Sequence, residues 1–231
     1  MINASKIYKM RIVFHLAPQL AGNMNRVGLL RNMILASGLP FVGAKQNPNV
    51  PRIAYGPSLK LGQSAQREYV DIYLLMPMDA QEVRKQLEAS KPKGFTFLDV
   101  KRIPVALSGV QYLASVAVYE VQGEFVSYAA KQSFENFVLS ARLNFTRQAV
   151  NGLRFTTDLK PFVRSGRVLS EQAVELTLNR VEDSWVNPLN VIYAWLGWEA
   201  SLNDEDITDE RFNVIRKGLY WADSAGNLHL I

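Results

Sequence analysis

Polar and apolar positions alternate over residues 8–16. Tyr8, Met10, Ile12, Phe14 and Leu16 fall on one side, and Lys9, Arg11, Val13 and His15 on the other, the period of a half-buried strand. A helix is expected over 25–37, with Asn25 as N-cap and Gly38 as its stop before Leu39-Pro40. Residues 40–62 are rich in Pro, Gly and Asn and read as loop, interrupted by a short strand at 52–55. A strand apolar on both faces follows at 68–76, then a helix at 79–90 opened by the capping-box pair Asp79 and Glu82. Another strand is expected over 95–103. The first hundred residues thus run β-α-β-β-α-β, the ferredoxin-like order.

A similar order recurs. The pattern predicts a long strand at 110–121, a helix at 127–140, and strands at 142–148 and 153–159 flanking the hairpin turn Asn151-Gly152. Val174, Leu176 and Leu178 mark a further alternating strand. Asn187-Pro188 opens a helix that stops at Gly197, and a last strand lies at 214–222. The expected fold class is α+β: two ferredoxin-like (βαββαβ) halves with mainly antiparallel sheets. Their boundaries fall at 1–106 and 107–231, the second half ending in an acidic loop and a final strand.

Charge changes the picture more than composition does. The first 67 residues hold nine Lys or Arg and no Asp or Glu; residues 68–231 hold 17 basic and 21 acidic side chains. So uneven a distribution makes the N-terminal half an anion-binding surface and RNA the first partner to expect. The candidate contacts are Lys9, Arg11, Arg26, Arg31, Lys45, Arg52, Lys60 and Arg67, interleaved with Tyr8, Phe41, Tyr55 and Tyr69 for base stacking. The alternative is that these cations pair with acids of the second half and keep the protein soluble. The acidic run at 203–210 reads as a solvated loop, or as a docking site for a basic partner.

With no cysteine among 231 residues, disulfides, thiolate zinc sites, cysteine nucleophiles and cysteine-held iron–sulfur clusters are excluded. No signal peptide or membrane span is legible, which suggests the cytoplasm. The two histidines, His15 and His229, are far apart in the chain, so no metal or catalytic cluster is expected and no cofactor is implied. A metal-independent ribonuclease using His15 remains an alternative, as does a protein-interaction module. Asp71 is expected to pair with Arg67 or another basic neighbour, and Asp158 to order the turn before Pro161. The four tryptophans, Trp185, Trp195, Trp198 and Trp221, are assigned to the second core.

One succession is distinctive: Gly38-Leu39-Pro40, Gln46-Asn47-Pro48, Pro51-Arg52-Ile53, Leu59-Lys60-Leu61-Gly62 and Glu68-Tyr69-Val70-Asp71-Ile72. With Gly152-Leu153-Arg154, Asp158-Leu159-Lys160-Pro161 and Val186-Asn187-Pro188, it resembles the bacterial radical-SAM-linked domain of unknown function. That domain occurs beside, or fused to, a radical-SAM protein with a cobalamin-binding-type domain. The resemblance implies a radical-SAM partner and, since this chain has no cysteines for a cluster, an accessory rather than an enzymatic role. The chain also departs from the family pattern. It reads Asn23-Met24-Asn25 where relatives tend to show His-Leu-Asp, and Asn47-Pro48-Asn49-Val50-Pro51 where they often show Asn-Pro-His-Pro. Asparagine hydrogen-bonds but cannot serve as a general base.

Overall fold

The structure, a computed structural model, describes residues 6–20, 26–125, 133–202 and 207–231. It is a mixed α+β fold dominated by largely antiparallel sheet, and its contacts divide into two compact units. The first comprises described residues up to Ser58, with Ala65–Ala114 and Ile231; the second comprises Leu59–Ser64 and Ser115–Leu230.

The first unit contains β1 (Tyr8–Leu16), α1 (Arg26–Ala36), β2 (Gly43–Ala44), β3 (Asn47–Pro51) and β4 (Ile53–Tyr55). It continues with most of β5 (Gln63–Leu74), then α2 (Ala80–Ser90), β6 (Phe95–Ile103) and α3 (Val110–Leu113). β1 lies between β5 and β6, antiparallel to both, and β4 pairs antiparallel with β5. Met10, Ile12, Val70, Ile72 and Leu74 of the sheet are buried, as are Leu30, Met33 and Ile34 of α1 and Val83 and Leu87 of α2. Asp79 caps α2 by accepting from the Gln81 amide at 2.8 Å. The expected reciprocal arm of the capping box is spent elsewhere: Glu82 accepts from Gln86 one turn on.

The second unit contains β7 (Val116–Gln122), α4 (Phe134–Leu139), β8 (Asn144–Gln148), β9 (Arg154–Asp158) and β10 (Val163–Ser170). After these come β11 (Ala173–Asn179), α5 (Pro188–Leu196), β12 (Ala200–Ser201), β13 (Asn213–Ala222) and β14 (Leu228–Leu230). β7 lies between β11 and β13, with β10 beyond β11 and β14 on β13, all antiparallel. A separate small sheet runs β12-β8-β9, its β12–β8 pair parallel. Asn187 caps α5 through Leu189 N, accepts from the buried Gln63 amide at 3.1 Å and donates to Ile207 O at 3.0 Å.

Several expectations need correction. Residues 110–113 form a helical turn rather than the start of a long strand, which begins only at Val116. An apolar run of that length serves strand or buried helix equally well. The stretch read as loop holds the β2–β3 hairpin, and β10 and β14 went unpredicted. The helix expected at 127–140 is described only from Phe134; residues 126–132, and Asn25 with its proposed cap, lie outside the described residues.

Candidate nucleic-acid interface

The alternation of β1 puts Lys9 and Arg11 on one face, but that face is not open. Lys9 is 1% and Arg11 3% exposed, and both close on Asp71 of β5, which is 0% exposed. Arg11 stands directly opposite Asp71 in the β1–β5 register and grips it with Nε and Nη2 at 2.7 and 3.0 Å. Lys9 Nζ reaches the same carboxylate at 3.1 Å and donates to the Leu107 carbonyl at 2.7 Å, tying the loop after β6 to β1. These two cations therefore act inside the fold and do not offer their charge to a phosphate backbone. Asp71, expected to pair with Arg67 or another basic neighbour, pairs with the basic neighbours Lys9 and Arg11, because register, not sequence proximity, decides which side chains face each other.

The remaining cations sit differently. Residues 40–52 are laid along the end of β5 by backbone bonds: Leu75 N to Pro40 O at 2.8 Å, Val42 N to Tyr73 O and Arg52 N to Val42 O, both at 2.7 Å. That course brings the exposed Arg52 guanidinium over the Tyr73 ring, 4.2 Å from its centroid. Lys9 approaches the same ring at 5.6 Å. Lys45 stands exposed in the turn between β2 and β3. Gly43 lets that hairpin close, since a Cβ there would collide with the Pro48 carbonyl oxygen. Arg31 is exposed on α1, beside Tyr55. Burial pushes the Tyr55 phenol up to about 12 against the opposing pull of the Arg31 charge, so its ring stays neutral.

Arg31, Lys45, Arg52 and Arg67 make no ion pair among the described residues. The absence of any acid before Glu68 is the local reason. Arg67 is half-buried, its Nε enclosed without a hydrogen-bond partner. Arg26 and Lys60 are engaged with neighbours, and Lys60 belongs to the second unit. Of the interleaved aromatics, Tyr69 is buried, and Tyr8, Phe41 and Tyr55 are half-buried. Within that set Tyr8 carries the exposed Arg102 guanidinium, 4.7 Å from its ring centroid, and outside it Tyr73 meets the surface cation Arg52. The signal was present in the alternation Tyr69-Asp71-Tyr73, which puts all three on one face of β5.

His15 is half-buried on β1 opposite Thr96. Among the described residues no group of three or more His, Cys, Asp or Glu is placed to hold a metal. No helix among them is long and apolar enough to cross a membrane. Asp158 orders its turn as expected, accepting from Leu143 N and Lys160 N at 2.9 Å each; these bonds hold its carboxyl below the usual range. Of the tryptophans, Trp185, Trp195 and Trp198 are half-buried, while Trp221 is 43% exposed and stacks on His229.

A family model described as an uncharacterized protein conserved in bacteria (DUF2344) matches residues 47–188, more than half of the chain. The chain belongs to this family. The DUF2344 stretch contains Arg52, Lys60, Arg67 and Asp71, and excludes Lys9, Arg11, Arg26, Arg31 and Lys45. It also contains the whole β8–β9 hairpin and the Asn187 cap of α5. No curated protein matches the chain.

Proposed function

We propose that this protein is a non-enzymatic, cytoplasmic accessory protein that binds RNA through Arg31, Lys45 and Arg52 of its first unit and works with a radical-SAM partner. The carrying observation is that these three cations are exposed and have no carboxylate partner among the described residues. Their charge is therefore free for phosphates, which supply most of the affinity in sequence-independent binding. Arg52 stacked on Tyr73 is held as a planar, pre-oriented donor, the state in which Arg best meets a phosphate. The radical-SAM partner is supported by the resemblance of residues 38–72 and 152–188. The strand orders β4-β5-β1-β6 and β10-β11-β7-β13 support reading both units as ferredoxin-like.

The test is fluorescence anisotropy of labelled single-stranded and structured RNAs across about 50–200 mM salt, the range over which phosphate contacts lose most of their contribution. The comparison is wild type against the triple variant Arg31→Gln, Lys45→Gln, Arg52→Gln. Weaker binding, with a log–log salt slope on single strands shallower by about 2, is expected. Equal affinity and slope in the two proteins would sink the proposal.

A further inference from the structure

Counting charge by halves hides a second basic stretch. Residues 136–170 carry Arg142, Arg147, Arg154, Lys160, Arg164 and Arg167 against one acid, Asp158. They lie within a half of the chain whose net charge is negative.

The fold sorts these six. Lys160 and Arg164 are used internally, donating to the carbonyls of Val138 and Gly226, and Arg167 pairs with Glu175 at 2.8 Å. Among the described residues Arg142 and Arg147 have no carboxylate partner at ion-pair distance, and both belong to the segment entering and forming β8. Arg154 meets Glu199 at 3.3 Å, but its side chain is 64% exposed, so that pair is readily exchanged for another anion.

β9 is the edge of its small sheet. It pairs with β8 on one side, no described strand lies on the other, and all five of its residues are exposed. Phe155 on this edge is 50% exposed, directly opposite Arg147 in the β8–β9 register. Arg147 in turn rests its guanidinium 5.6 Å from the centroid of the buried Phe145 ring. The hairpin is fixed at its base by the two backbone bonds to Asp158, and at its tip by Gly152 with φ of +83° and by Asn151 accepting from Leu153 N. It therefore offers an accessible aromatic face with cations beside it on a braced strand. Alternating base-stacking rings and phosphate-binding cations are what single-stranded nucleic acid requires.

We infer that the β8–β9 hairpin is a second contact for single-stranded RNA, with one base stacked on Phe155 and the neighbouring phosphates against Arg142 and Arg147. This deepens, and rests on, the RNA-binding reading above. A peptide strand added to the β9 edge is disfavoured by chemistry. Strand addition gains its selectivity from pockets for alternate side chains, and β9 presents Thr156 and Thr157 exposed instead.

The experiment measures anisotropy of a labelled uridine oligomer and of a blunt RNA duplex with four proteins besides wild type. These are Phe155→Ala, Phe155→Tyr, the pair Arg142→Gln with Arg147→Gln, and the first-unit triple variant. Phe155→Ala is expected to weaken oligomer binding at least about fivefold while leaving the duplex unaffected. Phe155→Tyr retains binding, and the arginine pair makes the oligomer's salt slope shallower by about 1.4. Unchanged oligomer binding by Phe155→Ala, with the triple variant weakened, overturns the hairpin assignment, leaves the first-unit reading standing and turns attention to a peptide at the β9 edge. Loss in the hairpin variants alone upholds the hairpin and removes the first-unit face. No binding by wild type overturns both.

Discussion

Replacing Asp71 by Asn tests the claim that Lys9 and Arg11 belong to the interior. The carboxylate is 0% exposed and carries two cations that are themselves 1% and 3% exposed. Asparagine keeps the volume and one acceptor, but turns an NH2 group toward donors and strips both cations of their counter-charge. Breaking a buried pair from one side costs about 3–5 kcal/mol, because the remaining charge stays desolvated. With a urea m-value of about 2 kcal/mol/M, the midpoint should fall by roughly 1.5–2.5 M. Far-UV circular dichroism is the appropriate probe: all four tryptophans lie in the second unit, so their fluorescence does not report directly on the first.

The sharper test is the sign of a second substitution. Lys9→Met in the native background removes a bond to Asp71 and one to the Leu107 carbonyl, and should destabilise by about 1–3 kcal/mol. In the Asp71→Asn background the same change deletes a buried cation with no counter-charge, and should restore stability. A midpoint shift below about 0.5 M for Asp71→Asn would refute the reasoning, since removing a counter-charge from desolvated cations cannot be that cheap. So would Lys9→Met adding its full native cost to the Asp71→Asn variant, because groups sharing one carboxylate must be coupled.

Asp209 accepts from Tyr193 Oη and Arg211, and the Arg211 hydrogen bonds foremost hold its carboxyl down at about 2. Its stabilisation is therefore complete above the ordinary Asp value and lost as pH falls through about 2, and Asp209→Asn should flatten that part of the acid-unfolding curve. Burial first, and then Asp209, push the Tyr193 phenol up to about 12, so the same variant should bring its ultraviolet titration only part of the way back. Asn187→Ala loses the α5 cap and takes one partner each from the buried Gln63 amide and the Ile207 carbonyl; thermal unfolding should show a loss of about 2–4 kcal/mol. Gly166→Ala would set a Cβ 2.8 Å from Phe134 and 3.0 Å from Val138, and should cost about 1–3 kcal/mol by the same measurement.

Elements whose signals are local were legible in the chain. Asn187-Pro188 and Gly197 bracket α5 because capping bonds join neighbours in sequence, and Gly197 indeed takes φ of +71°. Asn151-Gly152 marks the β8–β9 hairpin for the same reason. Elements fixed by distant partners were not. β2 and β3 depend on Gly43 meeting Pro48 and on residues 40–52 docking along β5, and composition shows only a loop there. Tyr73 is masked by a stretch apolar on both faces, although Asp71 two positions earlier marks its face as polar.

The fate of the nine early cations shows why charge counting alone misassigns a surface. Alternation in β1 makes Lys9 and Arg11 look outward, since polar positions of a half-buried strand normally face water. Their counter-charge, Asp71, lies about sixty residues away in sequence, directly opposite Arg11 and diagonal to Lys9 in register, so pairing turns the apparent solvent face into interior. What remains outside is a smaller set: Lys6 ahead of β1, Arg31 on a helix, and Lys45 and Arg52 on the segment docked along β5. The same sorting applied to the second unit reverses the conclusion drawn from its net charge. Most of its acids lie elsewhere, leaving β8, β9 and the residues entering β8 with Arg142, Arg147 and Arg154, the last loosely paired with Glu199, and a single acid that is occupied with backbone amides. An anion approaching this protein responds to cations free of partners within about a Debye length, roughly 8 Å at physiological salt, and not to the charge of a half-chain. Of the two surfaces, the hairpin adds an exposed aromatic ring to its cations, so sensitivity to base stacking as well as to salt is the signature that separates it from the first-unit face.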